Sequence, residues 1–404
     1  MKTLLQINIV VNYGSTGHIA EDIGQHAIQH GWDSYIAYGR NPRLSKSKTI
    51  RIGTDCDVNL HGLQTLLFDR HGLASVKPTK KLIEKIQEIK PDIIHLHNIH
   101  GYYINYEILF DFLNSADIPV IWTLHDCWAM TGHCAHFEFV DCDKWKTQCY
   151  SCPLKNKYPS SLLIDCSKTN YIRKKRLFNS VRNMTLVPVS NWLRSIVNSS
   201  FLSDYTVQVI NNGINLNIYT PKKGNVFHTK YKLSNYFIIL GVAHIWSIKK
   251  GLNDFIKLSK LLSDNFKIVL VGLSKKQLND LPTNILGIPL TENTEQLADL
   301  YSAADLFVNP TWEDNFPTTN IEALACGTPV VTYKTGGSLE AIDSDTGFIV
   351  EQGDINGILD AVKAVKDNGK SYYTKVCRFR AEQFYNKVDR CQDYIDLYNR
   401  LYIE

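Results

Sequence analysis

The chain has no apolar run of the roughly 18 or more residues that a membrane-spanning helix requires. It also lacks a predominant charge: 44 basic against 40 acidic residues leave a formal net charge of +4. A dedicated nucleic-acid binder would carry a strongly basic stripe, so a nucleic-acid partner is not expected. There is no fixed-period repeat and no low-complexity tract, so the fold is not a repeat architecture. The N-terminal "MKTLLQINIVVNYGSTG" lacks a small-residue cleavage pattern, is dominated by β-branched residues and runs straight into a glycine turn. It reads as a first β-strand and not as a signal peptide. A cytoplasmic location is therefore expected, with the ten cysteines reduced.

What is present is a chain of 404 residues, 44% hydrophobic, long enough for two domains. Short β-branched runs ("LLQINIVV", "DSYIAYG", "PDIIHLHN", "PVIWTLH", "TLVPVS") alternate with amphipathic segments such as "TKKLIEKIQEI" and "YEILFDFLNSA". Continuous apolar strands separated by helices indicate a parallel sheet covered on both faces. After residue 207 the pattern restarts with "YFIILGVA", "FKIVLVG", "DLFVNP" and "TPVVTY". The expected fold class is α/β: two doubly wound, Rossmann-like domains (1–207 and 208–384) facing across a cleft. The punctuation of "VINNGINLNIYTPKKG" marks the hinge, and "LGIP" at Leu286–Pro289 reads as a strand-end loop. The tyrosines and leucines of 385–404 predict a final helix that packs back on the first domain.

The most informative stretch is "WEDNFPTTNIEALACGTPVV", Trp312 to Val331. Pro317 has no N–H and a fixed φ, so it belongs in a first helical turn, and Gly327 stops the helix. Asp314 then lies on the loop and Glu322 one to two turns into the helix. The N–H groups of Thr318, Thr319 and Asn320 form a helix N-terminus, a ready anion site that suits a diphosphate. Read purely as structure, Asp314 would cap the helix and Glu322 would be a surface charge. A second strand-to-helix turn, "GVAHIWSIKKGLNDF", supplies Lys249 and Lys250, cations that can balance a leaving diphosphate without a metal. On the N-terminal half, "NYGSTGHIAEDI" opens a helix with only Gly14 and Gly17, too few glycines for a dinucleotide fingerprint. "HLHNIHGYY" and "TLHDCW" place His95, His97, His100, His125 and Asp126 at the ends of successive strands. Asp126 would steer an acceptor hydroxyl or cap a turn, and a buried histidine satisfied by backbone is the plain reading of His95.

This pattern resembles the retaining glycosyltransferases of family 4, with the GT-B fold, and within them the subgroup that makes bacterial surface polysaccharides. Their mark is an acidic residue, seven others, then Glu, followed by a Cys-Gly-Thr-Pro-Val-Val turn; here these are Asp314, Glu322 and Cys326–Val331. The resemblance implies that Glu322 binds the donor ribose, Asp314 the donor sugar and Lys250 the diphosphate. Lys249, Phe316, Pro317, Thr318, Thr319, Asn320, Gly14 and Gly17 complete the donor site. It places His125 close to the reacting sugar, with His97 and Asp126 on the acceptor side. The implied reaction moves a sugar from a nucleotide diphosphate sugar, foremost a UDP-sugar, to a saccharide or lipid-linked acceptor, with no cofactor required for catalysis. Two positions depart from the family pattern. The first acid is usually Glu and here is Asp314, with Glu313 beside it, and the usual arginine before the lysine-glycine turn falls on Ile245.

A cysteine-rich insert, 133–153, contains Cys134, Cys142, Cys149 and Cys152. In a reduced compartment this spacing favours one structural zinc over unmetallated thiols or disulfides, with His133 and His136 as spare ligands. The basic aromatic segment "YIRKKRLF", Tyr171–Phe178, reads first as a solvated face. Its alternative is contact with anionic lipid headgroups, peripheral to the cytoplasmic face of the inner membrane. Two rival classes compete with this reading. A nicotinamide-dependent oxidoreductase would need an acid after the second strand, which "AYGRN" at Ala37–Asn41 lacks. A non-catalytic zinc-dependent interaction protein would keep the insert and tolerate loss of Glu322.

Overall fold

The structure, a computed structural model, describes residues 2–222 and 225–403. These form two compact units, the first running to residue 211 and resuming at 390, the second spanning 212–389. In the first unit the strands are β1 (Thr3–Val11), β2 (Asp33–Pro42), β3 (Lys48–Arg51), β4 (Ile93–Leu96), β5 (Val120–Leu124), β6 (Met184–Pro188) and β7 (Thr206–Val207). They lie in the order β3-β2-β1-β4-β5-β6-β7, every pairing parallel. Parallel neighbours require crossovers. These carry α1 (Gly14–Gln29), α2 (Asp55–Phe68), α3 (Val76–Ile89), α4 (Tyr106–Ser115), α5 (Ser167–Phe178) and α6 (Asn191–Asn198). With helices on both faces, the central strands are mostly apolar, and all of β4, β5 and β6 is buried.

The second unit repeats the plan. Its strands are β8 (Phe237–Val242), β9 (Phe266–Val271), β10 (Ile285–Ile288), β11 (Leu306–Asn309), β12 (Val330–Tyr333) and β13 (Gly347–Val350). They follow the order β10-β9-β8-β11-β12-β13, again all parallel. Its helices are α7 (Asn225–Tyr231), α8 (Leu252–Ser259), α9 (Lys275–Asn279), α10 (Thr294–Ala303), α11 (Thr318–Ala325), α12 (Ile355–Asn368) and α13 (Lys370–Phe384). The "LGIP" segment corrects the sequence reading, since Leu286–Ile288 belong to β10 and pair with β9. Both sheets reverse their winding direction once, between β1 and β4 and between β8 and β11. In open α/β sheets these reversals open the crevices where ligands bind.

The last helix, α14 (Lys387–Ile403), is amphipathic. Cys391, Tyr394, Ile395 and Tyr398 recur at helical spacing and enter the first unit's core with Leu4, Ile23, Trp32, Ile93, Ile121 and Val187. Burying each such side chain stabilises by about 1.5–3 kcal/mol, which explains an apolar face so near the end of the chain.

Candidate functional site

At the winding reversal of the second unit, two loops carry its chemistry. After β8 the chain makes a single 3-10 turn, Ile248–Lys250, and then Gly251 takes a left-handed φ of 75° to start α8. A Cβ at Gly251 would stand 2.3 Å from the Pro310 carbonyl oxygen, so only glycine lets this turn close on the end of β11. The Lys249 carbonyl accepts from the Trp312 N–H at 2.8 Å, which ties the two loops backbone to backbone. Side chains repeat the link. The Lys250 ammonium meets Asp314 at 2.6 Å, and Lys249 is ion-paired with Glu313. The Lys250–Asp314 pair keeps partial solvent contact and is worth at most about 1 kcal/mol. Glu313 is buried. The neighbouring acids thus face different lysines, which the sequence left open.

Pro317 is the N-cap of α11, one position earlier than the sequence placed it. The α11 first turn contains no acid, and its N-cap makes no side-chain hydrogen bond, so the positive end of the helix dipole is not capped there. Thr318 and Thr319 are half-buried there. Asn320 is corrected: its N–H is taken by the Pro317 carbonyl at 3.3 Å and its side chain is wholly buried. Its amide donates to Ser338 and accepts from Asn309 at 2.8 Å, so it ties three segments together and offers nothing to a ligand. Phe316 is likewise buried, its ring 5.7 Å from that of Tyr385. Glu322 keeps part of its surface, but its carboxyl accepts from Tyr301 at 3.0 Å and also meets Thr318 and Tyr219. Burial outweighs these donors and pushes the carboxyl up to about 7. Tyr301 and Tyr219 escaped the sequence reading because they lie far from Glu322 along the chain.

The first unit gathers its histidines at the ends of β4 and β5, beside β1. The Gln6 amide donates to the Ala20 carbonyl at 2.8 Å, which turns its oxygen toward His97 Nε2 at 3.0 Å. His97 Nε2 must then carry the proton, leaving Nδ1 to accept from His125 Nε2 at 3.1 Å. His125 is thereby held as the Nε2–H tautomer, its ring stacked on His97 at 5.4 Å. Burial lowers His125 to about 4 and pushes His97 well below the ordinary imidazole range. His97 is buried, which corrects its expected acceptor-side position: it orients His125 instead. His95 is also buried, bonded to the Tyr398 hydroxyl at 2.6 Å and Thr123 at 2.8 Å, so side chains satisfy it where backbone was expected. Burial alone would raise the Asp126 carboxyl. His100, at 2.8 Å, with the Trp128 N–H and His136, instead holds it well below the usual carboxylate range.

Gly14, φ 62°, begins α1 at the end of β1. A Cβ at Gly17 would meet Val10 Cγ2 at 2.9 Å, so this glycine lets the first turn of α1 sit close on β1. The four cysteines of the insert line one small cavity with His133, Trp145 and Phe137. Among the described residues, however, no three His, Cys, Asp or Glu side chains form a group that could hold a metal ion. The expected zinc therefore has no preformed ligand set. Cys134 and Cys152 are free thiols that share a hydrogen bond, Cys149 accepts from the Gly132 N–H at 3.2 Å, and His133 is turned onto Asp69 at 2.7 Å. Beside them Lys174 is buried over the Trp128 ring and donates to the Trp128 and Thr131 carbonyls at 2.7 and 3.0 Å. Burial lowers its ammonium to about 7. The basic segment is thus partly internal, with Tyr171, Lys174, Leu177 and Phe178 facing in.

Two parallel α/β sheets, with ion-paired strand-end loops on one and an ordered imidazole chain on the other, define a transferase of the GT-B fold. Residues 17–218 match the model of Glycosyltransferase Family 4, and 236–368 that of Glycosyl transferases group 1. The chain belongs to glycosyltransferase family 4. It is 24% identical to the colanic acid biosynthesis protein WcaC of Escherichia coli (strain K12), over 98% of this chain and 100% of that one. The assignment of WcaC as a glycosyl transferase is itself provisional. An Escherichia coli galactosyltransferase acting from UDP-Gal on α-D-GlcNAc-diphosphoundecaprenol is 26% identical over 49% of this chain and 55% of its own. The structure of Anabaena HepE with UDP superposes with a TM-score of 0.70 at 15% identity, covering 99% of this chain and 100% of HepE.

Proposed function

We propose that the protein is a retaining glycosyltransferase of surface polysaccharide synthesis, drawing on a UDP-sugar and working without a catalytic metal. The observation that carries this reading is the Lys250–Asp314 pair, set at a strand-end crevice before the uncapped N-terminus of α11. The diphosphate takes the Lys250 ammonium and the α11 N–H groups of Thr318 and Thr319, so fixed charges stabilise it as it leaves. Glu322 accepts from the ribose hydroxyls, and Asp314 holds the donor sugar. His125 presents an uncharged imidazole to the reacting sugar, held by His97 and Gln6. The Gly14–Gly17 turn lies over the phosphates, and Asp126 faces the acceptor. The acceptor hydroxyl attacks from the face the diphosphate departs, which retains configuration. The name of the E. coli galactosyltransferase supports a lipid-linked saccharide acceptor, met at the cytoplasmic face of the membrane.

Glu322→Ala tests the assignment. UDP-sugar turnover is expected to fall at least about tenfold, the loss of one hydrogen-bonded charged partner. Unchanged turnover in that variant would sink it, and inhibition by EDTA would sink the metal-free mechanism.

A further inference from the structure

Between residues 144 and 176 the chain carries nine basic residues and one acid, Asp165, although the whole chain is only +4. Of the nine, only Lys174 is buried. In the middle of this stretch three consecutive apolar side chains stand in solvent: Leu162, Leu163 and Ile164 are 55, 68 and 43% exposed. Backbone bonds hold them there. The Leu162 N–H donates to the Leu66 carbonyl at 2.8 Å, and the Cys166 N–H to Asp69 at 2.8 Å, so the loop lies along the C-terminal end of α2. That helix buries only His61 and Thr65 of its 14 residues and leaves Leu60 and Leu63 56 and 50% exposed. Lys155 reaches the Leu162 carbonyl at 3.3 Å, with Lys157 two residues on and Lys168 at the start of α5. Arg70 stands exposed just past α2. Arg173 and Arg176 are partly offset by Glu107.

An apolar prominence ringed by cations is costly in water and matches one surface in particular. We propose that the Leu162–Ile164 loop and the outer face of α2 form a docking surface for an anionic lipid bilayer. The leucines enter the headgroup boundary while Lys155, Lys157, Lys168 and Arg70 meet lipid phosphates. Among the described residues no helix is long and apolar enough to cross a membrane, so this attachment is peripheral. The surface deepens the lipid-linked acceptor reading, but its test needs neither donor nor acceptor.

The full chain is sedimented with vesicles of phosphatidylglycerol and phosphatidylethanolamine, and separately with phosphatidylcholine alone. It is expected to sediment with the anionic vesicles, to be released by raised salt and to leave neutral vesicles largely unbound. Leu162→Ser with Leu163→Ser should lower the partition coefficient at least about tenfold. Lys155→Gln with Lys157→Gln should flatten its salt dependence. Unchanged melting shows that each variant is folded. Equal binding by the leucine variant, or no binding of the native chain to anionic vesicles, overturns the proposal. So does a dimer that the leucine substitutions dissolve, which would give the surface to a second copy. Failure of UDP-sugar turnover alongside intact vesicle binding would overturn the proposed reaction and leave the docking surface standing.

Discussion

The two winding reversals of this protein are built from opposite electrostatic materials. In the second unit four ionised side chains, Lys249, Lys250, Glu313 and Asp314, are paired between two strand-end loops. In the first, His95, His97 and His125 are stripped of charge by burial, with His97 hydrogen-bonded to His125 and His95 to Tyr398 and Thr123. The difference follows the ligands each can hold. A diphosphate needs fixed positive charge. A sugar hydroxyl needs an oriented donor or acceptor, and a cationic imidazole would have no acceptor to offer. On the proposed function, one scaffold used twice would serve two chemistries through its loops.

Removing one charge from the ionic half breaks the contrast most severely. Lys250→Ala should lower kcat by about 100- to 1000-fold, as expected for a group that stabilises charge in the transition state. Steady-state kinetics with a UDP-sugar measures it, and a loss confined to KM would show that Lys250 holds the ground state only. The pH dependence of UDP binding sharpens the comparison. Burial pushes the Glu322 carboxyl up to about 7, and in the proposed donor complex its ionised form accepts from both ribose hydroxyls. Each pH unit below about 7 should therefore weaken UDP about tenfold, and Glu322→Gln should flatten the profile, as followed by calorimetry. Its raised pKa also sets the sign for the unliganded fold. Glu322 contributes stability that is fully present below about 4.5 and lost as pH rises through about 7. The smallest effect belongs to the neutral half. Tyr398→Phe removes the hydroxyl on His95 and should cost about 1 kcal/mol in chemical denaturation, with a much smaller effect on kcat than Lys250→Ala.

Much of this was legible in the sequence where signals were local and strong. The central strands announce themselves because both faces are buried and most of their residues are apolar. The amphipathic stripe of α14 needs only its own 17 residues. The short edge strands β3 and β7 carry exposed or half-exposed residues and gave no such signal. At the candidate donor site, residue type and spacing singled out Lys250, Asp314 and Glu322. Their partners could not be read, since the two lysine–acid pairs each span 64 positions. Asn320 misled for the same reason: its occupation by Ser338 and Asn309 depends on where other segments arrive. The cysteine spacing foretold that four thiols converge, but not that Cys134 and Cys152 would share a hydrogen bond.

In the proposed reaction, the Lys250–Asp314 contact would make the arrival of donor an exchange of counter-ions. The ammonium that a diphosphate would claim is the one Asp314 now holds, so binding phosphate and freeing the carboxylate for a sugar hydroxyl are one event. A bare nucleoside lacks the phosphates to prise the pair apart and would leave Asp314 occupied. Glu313, kept by its own lysine, would take no part in the trade. On that proposal, the shorter acid would become available to sugar only when that sugar arrives attached to its leaving group.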